Sequence, residues 1–295
     1  MAETKVKNQQ FWYVAWALII VGALFSGVEA FKDKGPSVEW KRVAMDGHRT
    51  GAQSVTLENV ETALDTFEDE FYLTPSGVQY PLDSPVAEVA SVLMEVQPRL
   101  ATLKTVVGHS AGMYMNLRNQ PDLPLGNLFA DVLRSAGSTY FKVPMDFAVT
   151  NYGGIRCPLP QGPVTLEDIS SMFPFKNYMC YVQMRGSSLI TLLEQLAAKP
   201  AFQAVSGCEV QVRGGKLVSA LVGGAEIDPQ RLYNVTTIDF LLDGGDQLNI
   251  GALSEKVVLS HVLLKDVMLD YVRSTEAAGQ VISAASDGRV VYFED

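Results

Sequence analysis

One long apolar block opens the chain, and short alternating segments follow it. From Phe11 to Phe25 the sequence FWYVAWALIIVGALF is uninterrupted apolar residues, behind a polar start carrying Lys5 and Lys7. SGVEA then closes the block at Ala30. A basic start, an apolar centre and small residues at the end are the layout of a secretory signal. Extension through Val28 brings the run towards the roughly 20 residues that span a bilayer. Residues 1–30 are therefore read as a signal peptide or an N-terminal membrane anchor through 11–28. On either reading the body is exported, to the periplasm or cell envelope, secreted or anchored. KDKGPS (Lys32–Ser37) makes residues 31–37 a linker, and 38–295 are read as the folded body.

Within the body the hydrophobic period switches repeatedly between helical and extended. EWKRVAMDGHRTGA alternates like a hairpin around Asp46-Gly47, and the acidic ENVETALDTFEDEF reads as a short amphipathic helix. Ser84 as cap, Pro85 in the first turn and Val86, Val89, Val92, Leu93 and Val96 predict a better helix, interrupted at Pro98. NLFADVLRSAG predicts a helix capped by Asn127 and stopped at Gly137. In VTLEDISSMF, Thr165 and Asp168 have capping-box spacing. SSLITLLEQLAAK predicts a helix capped by Ser187, and HVLLKDVMLDYV a C-terminal one opened by His261. Between them MDFAVTN, YMCYVQM and the buried LYNVTTIDFLL read as strands, and CEVQVRGGKLVSALV as a hairpin turning at Gly214-Gly215. The mixture predicts an α/β (mixed α+β) fold, with layered mixed sheets flanked by helices.

Composition narrows the function classes. With 47% hydrophobic and 19% charged residues, the chain can bury a core. A net charge of -10 argues against nucleic acid as partner, so an anionic ligand must meet a local cluster of donors. Cys157, Cys180 and Cys208 have no CxxC spacing and suggest neither a disulfide scaffold nor a zinc site.

Two constellations carry candidate chemistry. VVGHSAG (Val106–Gly112) matches G-x-S-x-G, which in α/β-hydrolases places a serine on a strained strand-to-helix turn. Asp239, Asp243 or Asp246 and then His261 follow Ser110 in triad order, so a serine esterase using Ser110 and His261 is one alternative. A non-catalytic interaction protein is another. Against the esterase, Pro121 cuts short any helix after the serine, and no oxyanion stretch precedes it.

The second constellation joins NYGGIR (Asn151–Arg156), FPFKN (Phe173–Asn177) and DFLLDGGDQL (Asp239–Leu248). Each runs from apolar sequence into a loop with glycine, proline or aromatic residues. Phe175 directly after Pro174, and Phe240 just before Asp243-Gly244-Gly245-Asp246, stand at loop entrances where two rings could face a planar ligand. Stacking of that kind contributes about 1–3 kcal/mol per base. Arg156 suits a phosphate and Asp246 a ribose hydroxyl.

With LGNLFAD (Leu125–Asp131) and GPVT (Gly162–Thr165), these segments in this order resemble the 5'-nucleotidase C-terminal domain family, best over 125–248. The resemblance implies that domain's fold and nucleotide recognition. Phe175 and Phe240 match the base clamp, Asn151, Gly153, Gly154 and Arg156 the nucleotide-contacting loop, and Asp246 the ribose contact. Tyr152 stands where the family has a first glycine, and a further family arginine has only Arg118 or Gln120 near its place. Members hydrolyse phosphate esters with two metals on a separate N-terminal metallophosphatase domain, whose motifs include GNHE. His48, His109 and His261 are isolated and no GNHE occurs. The expectation is a chain without catalytic residues, metal ligands or cofactor of its own, which binds a nucleotide or nucleoside. A separately encoded metallophosphatase subunit, carrying the divalent metals, would perform hydrolysis.

Overall fold

Consecutive burial, rather than alternation, marks the central strands of this protein. A computed structural model describes residues 58, 67–74, 77–117 and 120–293, the side chain of Arg99 excepted. The predicted signal or anchor, the linker and the hairpin at Asp46-Gly47 lie outside these residues. So does most of the predicted acidic helix, whose last residue instead begins the strand β1 (Phe71–Leu73). β1 pairs with β2 (Gln79–Pro81), and α1 (Pro85–Val96) follows with Ser84 as its cap.

The main sheet has five strands in the order β12–β6–β11–β4–β7. They are β4 (Phe147–Thr150), β6 (Tyr178–Arg185), β7 (Ala204–Ser206), β11 (Leu232–Ile238) and β12 (Lys256–Leu263). All four residues of β4 are buried, which requires cover on both faces. α2 (Pro124–Phe141) lies across β7, β4, β11 and β6, while α4 (Gly186–Ala197) reaches β6, β11 and the second sheet. That sheet has the order β10–β9–β8–β13, built from β8 (Cys208–Arg213), β9 (Lys216–Val222), β10 (Ala225–Glu226) and β13 (Val290–Phe293). A small pair, β3 (Val106–Ser110) with β5 (Gly162–Thr165), packs under α5 (Leu264–Ala277). The mixed sheets flanked by helices are those the sequence predicts.

Local chemistry explains both agreement and departure. The capping box at α3 (Leu166–Met172) forms: the Thr165 side chain accepts from the Asp168 N–H, and the Asp168 carboxylate accepts from the Thr165 N–H at 2.7 Å. The hairpin at Gly214-Gly215 also forms, with positive φ at both glycines. Four predicted termini need correction. α2 begins at Pro124, whose missing N–H costs nothing in a first turn, and Asn127 lies within the helix, donating to Asp122 Oδ1 at 2.7 Å. Gly137 does not stop it: a Cβ there would lie 2.1 Å from Thr236 Oγ1, so the glycine marks the close approach of α2 to β11. The helix ends at Lys142 in the left-handed region. α4 begins at Gly186, which packs on the Asp228 carbonyl and not behind a Ser187 cap. His261 belongs to β12, so the C-terminal helix begins at Leu264.

Strand directions decide where the loops meet. β11 runs parallel to β4 but antiparallel to β6, with Ile238 opposite Met179. β4 runs antiparallel to β7, with Thr150 opposite Ala204. The exits of β4 and β11 and the entrances of β6 and β7 therefore share one end of the sheet.

Candidate nucleotide site

At that end the three predicted loops converge. Leaving β4, Asn151 begins the Tyr152–Gly154 turn and Arg156 follows. Entering β6, Phe173 turns inward against Phe129, with ring centroids 4.5 Å apart, and Pro174 redirects the chain so that Phe175 points out. Leaving β11, Asp239 accepts from the N–H groups of Tyr178 (3.0 Å) and Phe240 (2.9 Å), tying the second and third loops together. A cleft of about 330 Å³ is lined by Asn151, Gly153, Gly154, Arg156, Phe175, Asn177, Phe240 and Asp246. All seven residues singled out in the sequence are brought together there. Asn177 joins them; it was visible as the end of the FPFKN segment but carried no distinctive chemistry by itself.

The two are the most exposed phenylalanines among the described residues, ahead of Phe293 at 39% and Phe67 at 37%. Phe175 is 47% and Phe240 44% exposed, whereas Phe129, Phe147, Phe173 and Phe202 are buried in the core. Two large apolar faces left open at one cleft lose hydrophobic stabilisation unless something planar covers them. The Arg156 guanidinium lies over the Phe175 ring, 5.4 Å from its centroid, and donates to the Gly153 carbonyl at 3.2 Å. Asn151 Nδ2 donates to Asp246 Oδ2 at 2.8 Å, fixing the carboxylate at the cleft edge. Asn151 Oδ1 is buried without a hydrogen-bond partner among the described residues, a cost of about 1–3 kcal/mol.

Backbone shape at the third loop is as specific. Gly244 has φ 95°, and Asp246 and Gln247 have φ 48° and 60°. At Gly245 a Cβ would fall 2.0 Å from the Phe240 carbonyl oxygen, so only glycine lets the loop fold back on the phenylalanine.

Tyr152, expected to add bulk in the loop, points away from the cleft. It is buried with Leu123, Ala130 and Ala204, and its ring occupies the space a Cβ on Gly126 would need. Desolvation pushes its phenol pKa up to about 12. Asn116 supports the same loop by donating to the carbonyls of Tyr152 and Ile155. Arg118 lies outside the described residues; Gln120 is exposed and does not line the cleft.

The G-x-S-x-G segment is arranged differently. Ser110 ends β3 and is buried, its hydroxyl donating to the Gly112 carbonyl at 2.8 Å, and no helix follows directly. The neighbouring His109 bonds Glu276 at 3.1 Å, and His261 lies on the main sheet. The strand-to-helix elbow that such a nucleophile needs is not formed. Among the described residues no group of three or more His, Cys, Asp or Glu side chains could hold a metal ion, so these residues do not fit a two-metal phosphatase centre. No helix of the described residues is long and apolar enough to cross a membrane.

Residues 102–253 match the 5'-nucleotidase C-terminal domain. The chain belongs to the 5'-nucleotidase C-terminal domain family. It is 31% identical over 205 residues to Endonuclease YhcR of Bacillus subtilis, covering 65% of this chain and 16% of that protein. To the 5'-nucleotidase of Vibrio cholerae it is 33% identical over 109 residues, 36% of this chain and 20% of that one. It thus spans a fifth or less of the length of these relatives. The 5'-nucleotidase precursor of Thermus thermophilus shares the fold, with a TM-score of 0.61 at 21% identity, over 75% of this chain and 48% of that structure. Within the family domain, the cleft is formed wholly from residues of the matched region.

Proposed function

We propose that this 5'-nucleotidase C-terminal-type domain binds a nucleoside or nucleotide in the cleft at the end of its main sheet. The base stacks between Phe175 and Phe240, the ribose meets Asp246, and Arg156 with Asn151 and the glycines of the Tyr152–Gly154 turn receives the phosphate side. The observation that carries this reading is the pair of half-exposed phenylalanines in one cleft with those polar groups. The chain contributes substrate recognition to phosphomonoester hydrolysis, and a separate metallophosphatase polypeptide supplies the metals and the chemistry. That assignment is motivated by the donor set, since His109 and His261 sit on different sheets. Export to the cell envelope is proposed from the apolar N-terminal segment alone.

Calorimetric titration with nucleosides and their 5'-monophosphates tests the binding claim. Either Phe175→Ala or Phe240→Ala should weaken binding about tenfold or more, from the loss of one stacking face. Absence of binding, or affinity indifferent to both substitutions, would overturn it. Incubation of the purified chain with AMP and divalent metal should give no hydrolysis. Turnover that disappears in Phe240→Ala would show that the chain needs no partner.

A further inference from the structure

A cavity of about 680 Å³ opens between α2, the start of β8, the β9–β10 turn and the segment before β13. It shares no residue with the nucleotide cleft, and Gly207 on its wall follows β7 at the end away from that cleft. Its size is that of a small-molecule site. Bare backbone forms part of the wall: Gly223, Gly224 and Gly288 have positive φ, and a Cβ on any of them would meet nothing within 4 Å.

Asp131, Arg134, Glu209, Asp287 and Arg289 bring charge to this cavity, and three of them are already paired. The Arg289 guanidinium donates to both oxygens of Asp131 at 2.8 and 2.9 Å, to Asp287 at 2.6 Å and to the Val205 carbonyl at 2.9 Å. Arg134 is held differently. Its Nε donates to Ser206 Oγ at 2.9 Å, Ser206 donates in turn to Asp131, and its stem lies against Gly207. Both terminal nitrogens of Arg134 and the whole Glu209 carboxylate have no partner among the described residues, and the two do not pair with each other. Two free groups of opposite sign therefore line one cavity. A simple anion would meet three carboxylates there as well as Arg134. No group of three or more His, Cys, Asp or Glu among the described residues could hold a metal ion, and desolvation keeps the Cys208 thiol on the wall protonated.

We propose that this cavity binds a small zwitterion of the amino-acid or dipeptide class, its carboxylate on Arg134 and its ammonium on Glu209. With Nε engaged by Ser206, the guanidinium still presents the edge formed by its two terminal nitrogens, which suits a carboxylate through parallel hydrogen bonds. The ammonium donates to Glu209, and the glycine-walled space takes the ligand's side chains. The Asp131–Arg289–Asp287 cluster fixes the surrounding wall and takes no part in recognition.

The test is calorimetric titration of the full chain with L-alanine and L-alanyl-L-alanine, each also as its N-acetyl and its amide derivative. The free zwitterion should bind about tenfold or more tighter than either capped form, the lower end of what a charge-assisted hydrogen bond contributes. Arg134→Gln should close the gap between free and amidated ligand, because the carboxylate then has no cation to meet. Glu209→Gln should close the gap between free and acetylated ligand. Glu209 is exposed, so its variant will fold, and it decides the matter alone if Arg134→Gln does not. No binding of either free zwitterion at millimolar concentration, equal affinity for free and capped forms, or a gap that persists in its matching variant overturns the site.

Discussion

Arg156 and Phe175 occupy each other in the cleft. With the guanidinium 5.4 Å from the ring centroid, a base stacking on that face takes its place and frees it for phosphate. Arg156→Ala and Phe175→Ala should therefore be non-additive. A double-mutant cycle on nucleotide affinity is expected to show an interaction of about 0.5–3 kcal/mol. Thiol chemistry separates residues equally well. Cys180 and Cys208 are buried, and desolvation pushes each thiol pKa up to about 12, Asp239 adding to the effect at Cys180. Cys157, beside Arg156, is partly exposed. Maleimide labelling near neutral pH should modify one cysteine in the native protein and all three after denaturation.

Elements meet in this fold where side chains are missing or unexpected. The LGN glycine, Gly126, lies against Tyr152, so the first turn of α2 and the Tyr152–Gly154 loop pack as one piece. Gly126→Ala should destabilise the protein by about 1–3 kcal/mol through overpacking. Combined with Tyr152→Ala it should cost less than the sum, as urea unfolding would show. The same positions explain what the sequence discloses. Thr165 with Asp168, Gly214-Gly215 and the strands around Val149 and Val182 are legible because their signals are local: a cap, a turn, a run of apolar residues. Gly137 and Gly186 mislead because each glycine answers a partner distant in sequence, Thr236 or Asp228. Tyr152 looks like an obstruction for the same reason. The seven cleft residues can be picked out only as ordered motifs, since no periodicity announces that three loops share one end of a sheet.

Across the whole molecule, Arg289 ties the C-terminal strand to the rest. It donates to both oxygens of Asp131 on α2, to the Val205 carbonyl on β7 and to Asp287. The hydrogen bond from Arg289, ahead of burial, which acts the other way, holds the Asp287 carboxyl below its ordinary 3.8. A depressed folded-state pKa stabilises the fold above the unfolded value, and that stabilisation is lost as pH falls through the folded one. Urea midpoints should place the unmodified chain above Asp287→Asn at pH 6, with the difference shrinking as pH drops below about 4. Because Asp287 is half exposed, the difference will be modest.

The cleft also has no existence apart from the folded sheet. Its walls come from segments as far apart as Asn151 and Asp246, brought together by strands that pair only when the chain is folded. A ligand that needs all of them binds the native state and not the unfolded one. At a hundredfold excess over its dissociation constant it should add about 2.7 kcal/mol to the unfolding free energy. Melting temperature then becomes a meter of ligand identity, rising with the logarithm of concentration for true ligands and standing still for the rest. Such a scan would report nucleotide binding whether or not any turnover occurs.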